Sequence, residues 1–236
     1  MGKSRPHRSA ANDLLALLPA DDLNRLLPKL SQIPLQTRDV LYQPNVPIDY
    51  IYFPERGMVS LVALMESGAR IEVATIGAEG LVGLPAVLGV ETATVQAMVQ
   101  MPGTALRIAT GVFRAEMARL AALRQLLTLY QGAFLFQVMQ TVACNGLHPI
   151  RQRCCRWLLL SHDRAQRDEF PLTHEFLALM LGVRRSSITE VLRPLQAKGL
   201  IRYQRGTFRV LDRRRLEGTC CECYQRVRQE YERLFG

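Results

Sequence analysis

Apolar positions along the 236-residue chain change their period three times. Over 13–31, Leu14, Leu15, Leu17 and Leu18, then Leu23, Leu26, Leu27 and Leu30, recur at helical spacing and predict short helices. Pro19 should break the first, and Asp21 or Asp22 is placed to cap the second. From about 33 to 109 the pattern becomes short runs of β-branched and aromatic residues at 40–42, 50–53, 59–64, 71–76, 94–99 and 105–108. Turn formers punctuate them: Gln43-Pro44-Asn45, Pro54-Glu55-Arg56-Gly57, Glu66-Ser67-Gly68 and Met101-Pro102-Gly103. Strands at that rhythm predict an antiparallel barrel or jelly roll. A βαβ sheet is disfavoured, because no helical segment of ordinary length intervenes.

From about 112 to 146 the helical period returns, with two stripes. Leu123, Leu127, Tyr130, Phe134 and Val138 form one; Leu126, Leu129, Ala133, Phe136 and Ala143 form the other. One stripe seats a helix on its own domain. A second predicts another surface to bury, most simply a partner's copy of the same helix, the alternative being a helix buried within a monomer. Gly132 costs the helix some propensity. Beyond it, 154–161 reads as a helix carrying Trp157, 163–169 as a polar loop, and 219–234 as a final helix with Tyr224, Val227, Tyr231 and Leu234 on one face.

Charge sharpens this division. Residues 1–147 hold 12 Lys+Arg against 11 Asp+Glu, whereas 148–236 hold 18 against 10, and Lys198 is the only lysine among those 18. Nearly all of the net +9 therefore sits at the C-terminal end, in arginines, whose forked donors bind phosphates and guanine edges in pairs. An anionic partner is expected there. No run of 18 apolar residues encodes a membrane span, and the basic, polar start 1–12 leads into no signal core, so a cytoplasmic protein without a membrane partner is expected.

The sharpest motif is 174–193, which fits a helix-turn-helix. Leu177, Leu181, Val183, Ile188 and Val191 supply the apolar positions, Ala178 the small residue at the crossing, and Gly182 the turn. Thr173 is a suitable N-cap, with Glu175 in the first turn. The second helix, about 184–198, would expose Arg184, Arg185, Ser186, Thr189, Glu190 and Arg193 toward the major groove. Arg185 suits a guanine O6/N7 pair, Glu190 either a cytosine amino group or its neighbour Arg193, and Ser187 a phosphate contact or a local cap. Pro194 predicts a kink within that helix. Two short strands about Gln204-Arg205-Gly206 then read as a wing with Arg205 at its tip, while Arg213, Arg214 and Arg215 read as a solvated charge run.

The order β-roll, long helix, winged helix resembles the Crp/Fnr superfamily of bacterial transcription regulators over roughly 20–215, most specifically through Leu181-Gly182-Val183-Arg184-Arg185-Ser186-Ser187-Ile188-Thr189 and, in outline, Gly57, Gly77 and Gly83. The resemblance implies a homodimer that binds a palindrome in double-stranded DNA and touches RNA polymerase. The expected fold is α+β: a β-roll or jelly-roll sensor with short flanking helices at 13–111, a dimerisation helix at 112–147 and a winged helix-turn-helix at 148–236. Members that bind cyclic nucleotides carry a Gly-Glu pair and then Arg-Ser/Thr-Ala. Here Glu79 is out of register, and Glu91-Thr92-Ala93 lacks the arginine and would repel a phosphate, so cyclic AMP is not expected. Iron–sulfur members use N-terminal cysteines, and this chain has none before Cys144, so no cluster of that kind is expected and the effector is left open. The alternative is a ligand-binding or interaction module whose winged helix reads no DNA.

No nucleophile–base pair, phosphate loop or His-Glu-x-x-His run points to an enzyme, and no catalytic residue is assigned. The cysteines Cys144, Cys154, Cys155, Cys220, Cys221 and Cys223 read first as plain buried or surface thiols, with a metal or redox-sensing role for Cys220, Cys221 and Cys223 as the lesser alternative. Cys220-Cys221-Glu222-Cys223 lacks the two-residue gap usual at zinc sites, His148 would reach it only through the fold, and no metal ligand is assigned.

Overall fold

The computed structural model describes residues 11–165 and 167–235, the last of them in backbone only; the basic start up to residue 10 lies outside the described residues. Helix α1 (Asp13–Ala16) is capped by Asn12, whose side-chain oxygen accepts from the Leu15 amide at 3.0 Å. Helix α2 (Ala20–Leu26) begins after Pro19 with no side-chain cap. Asp21 and Asp22 therefore do not cap it; they lie in its first turn, where their charge favours the helix dipole.

Strands β1 (Ser31–Leu35), β2 (Val40–Tyr42), β3 (Tyr50–Leu64), β4 (Arg70–Ile76) and β5 (Gln96–Ala109) build the N-terminal roll. They pair antiparallel in the order β1-β5-β3-β4, with β2 also on β5. Two predicted turns are not turns. Pro54–Gly57 and Met101–Gly103 lie inside β3 and β5, where the register shifts between Pro54 and Val59 absorb them. Bulges let a strand bend without ending, so four expected short strands become two long ones. Strand β1 was not among the predicted runs.

Helix α3 (Leu84–Val87) caps the roll, entered by Gly83 at φ 111°, where an added Cβ would lie 2.8 Å from Ile51 Cδ1. The predicted long helix is two: α4 (Thr110–Arg119) and α5 (Ala121–Leu147), separated at Leu120, whose backbone is extended. Leu120 is itself buried, so the break seats a side chain in the core. On α5 the first stripe packs on the roll, with Leu123, Leu127 and Tyr130 buried and Phe134 and Val138 partly so. The second stripe is split. Leu126 and Ala133 are buried against the same chain, while Leu129 is exposed, as are Leu135, Met139 and Val142 further along the helix.

Helix α6 (Ile150–Ala165) extends beyond the predicted 154–161 and takes in the start of the expected polar loop. Strand β6 (Glu169–Pro171) takes its end, pairing with the wing strands below. Helices α7 (His174–Leu181) and α8 (Arg185–Ala197) follow, then β7 (Ile201–Gln204) and β8 (Thr207–Val210), in sheet order β6-β8-β7. Helix α9 (Arg213–Glu217) and helix α10 (Cys223–Phe235) close the chain; α10 starts later than the predicted 219 because 219–222 form turns. Its predicted face holds: Tyr224, Val227 and Tyr231 are buried, and Leu234 packs against the core.

Two apolar cores result. One fills the roll and receives α5 and the end of α10. The other joins α6, α7, α8 and the wing, and it includes Met58 and Val62 of β3 and Met98 and Met101 of β5.

Candidate nucleic-acid interface and sensor cavity

Thr173 sits at the N-cap of α7, and its hydroxyl accepts from the Phe176 amide at 3.1 Å. This satisfies one of the amide donors that a helix start leaves without a partner. Leu177, Ala178 and Leu181 are buried against Ile188, Val191 and Leu192 of α8, as the motif requires. Gly182 turns the chain at φ 63°, ψ 41°, a left-handed conformation that glycine adopts without steric cost. A Cβ there would also lie 2.9 Å from Ile71 Cδ1, because the turn rests on β4 of the roll.

With its apolar side committed to the core, α8 presents a polar face. Arg184, Arg185, Ser186, Glu190 and Arg193 are exposed, and Ser187 and Thr189 are half-buried. Thr189 is held by His174, whose Nδ1 lies 3.1 Å from its hydroxyl, so it locks α8 to α7 as much as it faces outward. The His174 ring in turn stacks on Tyr203 of the wing, 4.3 Å between centroids. Burial, and secondarily the charge of Arg185, hold its pKa below the usual histidine value. His174 was not singled out in the sequence; its only signal is its place at the start of the motif.

Arg185 forms an ion pair with Glu175 at 3.0 Å, both side chains being largely exposed. Pairs of this kind contribute under about 1 kcal/mol, so the guanidinium is easily released to another acceptor. Glu190 makes no ion pair with Arg193 among the described residues. Helix α8 runs through Pro194 to Ala197. At the wing tip, Arg205 (φ 50°) and Gly206 (φ 78°) both take positive φ, the requirement of a tight two-residue hairpin whose twist matches its strands. Arg205 is exposed there, and Arg202 and Arg209, which the sequence reading passed over, are exposed on the strands beside it.

The predicted solvated run 213–215 is partly structural. Arg213 pairs with Asp163 at 2.6 Å and Glu217 at 2.9 Å, and donates to the Tyr224 hydroxyl at 2.5 Å, tying α9 to α6 and α10.

In the roll, a cavity of about 450 Å³ lies between the strands, α3 and α5, lined by Tyr42, Leu61, Val73, Leu84, Phe134 and Val138 among others. Among the described residues no charged side chain lines it. Glu79 lies elsewhere: it accepts from the Gly77 amide at 3.0 Å and from Arg164 of α6 at 2.5 Å, joining roll to winged helix. Glu91 is exposed, Thr92 half-buried and Ala93 buried, so the run 91–93 brings no phosphate-binding cation to the cavity.

An antiparallel roll with a partly open apolar cavity, one long helix and a winged helix-turn-helix with an arginine-bearing second helix are the parts of a transcription regulator. Comparisons agree in both parts. Residues 32–119 match the cyclic nucleotide-binding domain, and residues 152–219 match the Crp-like helix-turn-helix domain. The chain belongs to the Crp/Fnr superfamily of transcription regulators.

Solved structures share the fold. A CRP-family transcriptional regulator from Thermus thermophilus superposes with a TM-score of 0.67 at 20% identity, covering 81% of this chain and 99% of that one. The c-di-GMP responsive global regulator CLP of Xanthomonas campestris gives 0.63 at 19% identity, with the same coverage. FixK2 of Bradyrhizobium japonicum gives 0.63 at 15% identity, covering 81% of this chain and 98% of that one. No curated protein sequence matches the chain. No helix among the described residues is long and apolar enough to cross a membrane.

Proposed function

We propose that the protein is a homodimeric, sequence-specific DNA-binding regulator that acts in the cytoplasm on palindromic promoter sites and contacts RNA polymerase there. The observation that carries this reading is α8: an exposed polar face with three arginines, held by an apolar face in a complete helix-turn-helix. On this reading the chain divides into a sensor at 13–111, a dimerisation helix at 112–147 and a DNA-binding unit at 148–236.

Arg185 reads a guanine edge and Glu190 accepts from a cytosine amino group, while Arg184, Ser186, Thr189 and Arg193 complete the groove contacts. Ser187, Arg205 and the helix start at Thr173 position the head on phosphates. The dimer forms through the outward face of α5, where Leu135, Met139 and Val142 follow a 4-3 step that a twofold copy can match. Two heads then fall about 34 Å apart, one turn of DNA.

The sensor takes an apolar small molecule rather than a cyclic nucleotide, because a wall without cations leaves a buried phosphate charge uncompensated. Selection from randomised duplexes tests the whole reading. An inverted repeat with half-sites one turn apart is expected, with affinity falling steeply in salt. Recovery of no preferred sequence would overturn it.

A further inference from the structure

Thiols that the sequence scatters over two segments converge in space. Cys144 lies in the last turn of α5 and His148 is that helix's C-cap, its amide donating to the Cys144 carbonyl at 3.1 Å. Cys223 opens α10, and Cys221 stands two residues before it. One ligand atom from each of Cys144, His148, Cys221 and Cys223 falls within 4.8 Å of all the others. Cys144, Cys221 and Cys223 are buried, and His148 is half-buried.

The spacings match a particular chemistry. Zinc–sulfur bonds of about 2.3 Å and zinc–nitrogen bonds of about 2.0 Å imply tetrahedral edges of about 3.8 Å between sulfurs and about 3.6 Å from sulfur to nitrogen. The Cys144 and Cys221 sulfurs are 3.6 Å apart, and Cys223 Sγ is 3.5 Å from His148 Nδ1. Thiol hydrogen bonds have similar lengths; what sets this group apart is that four ligand atoms meet within 4.8 Å of one another.

The surroundings fit as well. His148 Nε2 lies 3.3 Å from Glu222 Oε2, so a carboxylate holds the far nitrogen and leaves Nδ1 facing the sulfurs. That is how histidine ligands are commonly fixed in one tautomer. The Gln140 amide donates to Cys223 Sγ at 3.1 Å, as a hydrogen bond to a ligand sulfur would. Three thiolates about a divalent ion leave one negative charge. Buried Arg156 donates to Thr141, one turn before Cys144, and so places a positive charge close to the site.

We propose that Cys144, His148 through Nδ1, Cys221 and Cys223 bind one zinc ion in a closed tetrahedral site. All four positions are filled by protein, so the site is structural, with no place for a substrate. Binding displaces the thiol protons to solvent and needs no oxidant or reductant. The ion clamps the tail helix α10 to the end of α5, beside Pro149, where the chain leaves the long helix for the winged helix. The sequence concealed this because two ligands come from each of two segments more than seventy residues apart, and Cys221 and Cys223 lack the usual two-residue gap.

The full-length protein, purified under reducing conditions, should contain about one zinc per chain by elemental analysis. Cobalt added in its place should give the visible absorption of a tetrahedral thiolate complex. Cys144→Ser and Cys223→Ser should each lower zinc by about tenfold or more. Cys220→Ser, adjacent but outside the set, should retain it, and His148→Cys should retain it through a fourth sulfur. Circular dichroism separates lost metal from lost fold, and the His148→Cys result stands even if the serine variants do not fold. Zinc-free protein with freely titrating thiols would overturn the proposal. So would iron with inorganic sulfide, a Cys144–Cys221 disulfide under reducing conditions, or equal loss from Cys220→Ser.

Discussion

The sensor cavity and the reading head share a chain and a family, yet they are built in opposite ways. The head draws its chemistry from one helix and one hairpin, so its polar residues stand at fixed short spacings. The cavity takes its lining from β2, β3, β4, the loop before β5, α3 and α5, and no local spacing encodes it. The head is also charged and open, whereas the cavity is apolar and set between layers. An exposed arginine keeps its water until DNA replaces it; a charge in the cavity would lose hydration with nothing in return. Family membership thus carries the scaffold to both regions, while the lining alone decides what each region binds.

The strongest test of this contrast severs the heads from each other. Met139→Asp with Val142→Asp puts charge on the outward face of α5. It should give a monomer by analytical ultracentrifugation and weaken binding to the full palindrome by about 100-fold or more, since the second half-site is then no longer tethered. A dimer that persists would place the interface elsewhere.

Next in size is Arg185→Ala. It should cost about 1–3 kcal/mol and relax preference at one base pair per half-site, read by fluorescence anisotropy across single-base variants. A uniform loss at every sequence would make Arg185 a phosphate contact instead.

Glu72 tests the seam between the two regions. It is buried on β4 and accepts from the Ser60 hydroxyl at 2.6 Å, with Arg156 and Arg164 of α6 near it. Burial raises its pKa to about 7, above the ordinary 4.5, despite the opposing hydrogen bond and arginines. A carboxyl raised on folding binds more protons folded than unfolded, so stability falls as pH rises from about 4.5 to about 7 and then levels. Glu72→Gln should flatten that slope, worth at most about 3 kcal/mol, in denaturant melts at pH 5 and 8. Parallel curves for the two proteins would mean that Glu72 stays ionised.

The smallest expected effect is none. Cyclic AMP at millimolar concentration should leave the melting temperature unchanged. A rise of several degrees would show that the cavity tolerates a phosphate after all.

What was legible in sequence follows the same contrast. The head could be read residue by residue, from the Thr173 cap to the Gly182 turn and the Arg205 tip, because every rule involved acts within a few positions. The α+β fold was legible too, since strand and helix periods are local. The long strands were not: Pro54 and Gly57 signal a turn, and only pairing across the sheet converts it to bulges. The break at Leu120 and the splitting of the second α5 stripe depend on what packs opposite. The thiol cluster was hidden for the same reason, since nothing near 144 announces 223.

Strand β3 carries one consequence further. Its first half places Ile51 and Phe53 in the core of the roll, and its second half places Met58 and Val62 in the core beneath the winged helix. Strand β5 does likewise through Met98 and Met101. Neither core is complete without residues from the other's segment of chain. Calorimetry should therefore record a single cooperative transition, and a fragment ending near residue 147 should expose these apolar side chains and aggregate. The boundary drawn by family resemblance is one of sequence pattern, and heat should pass across it without a pause.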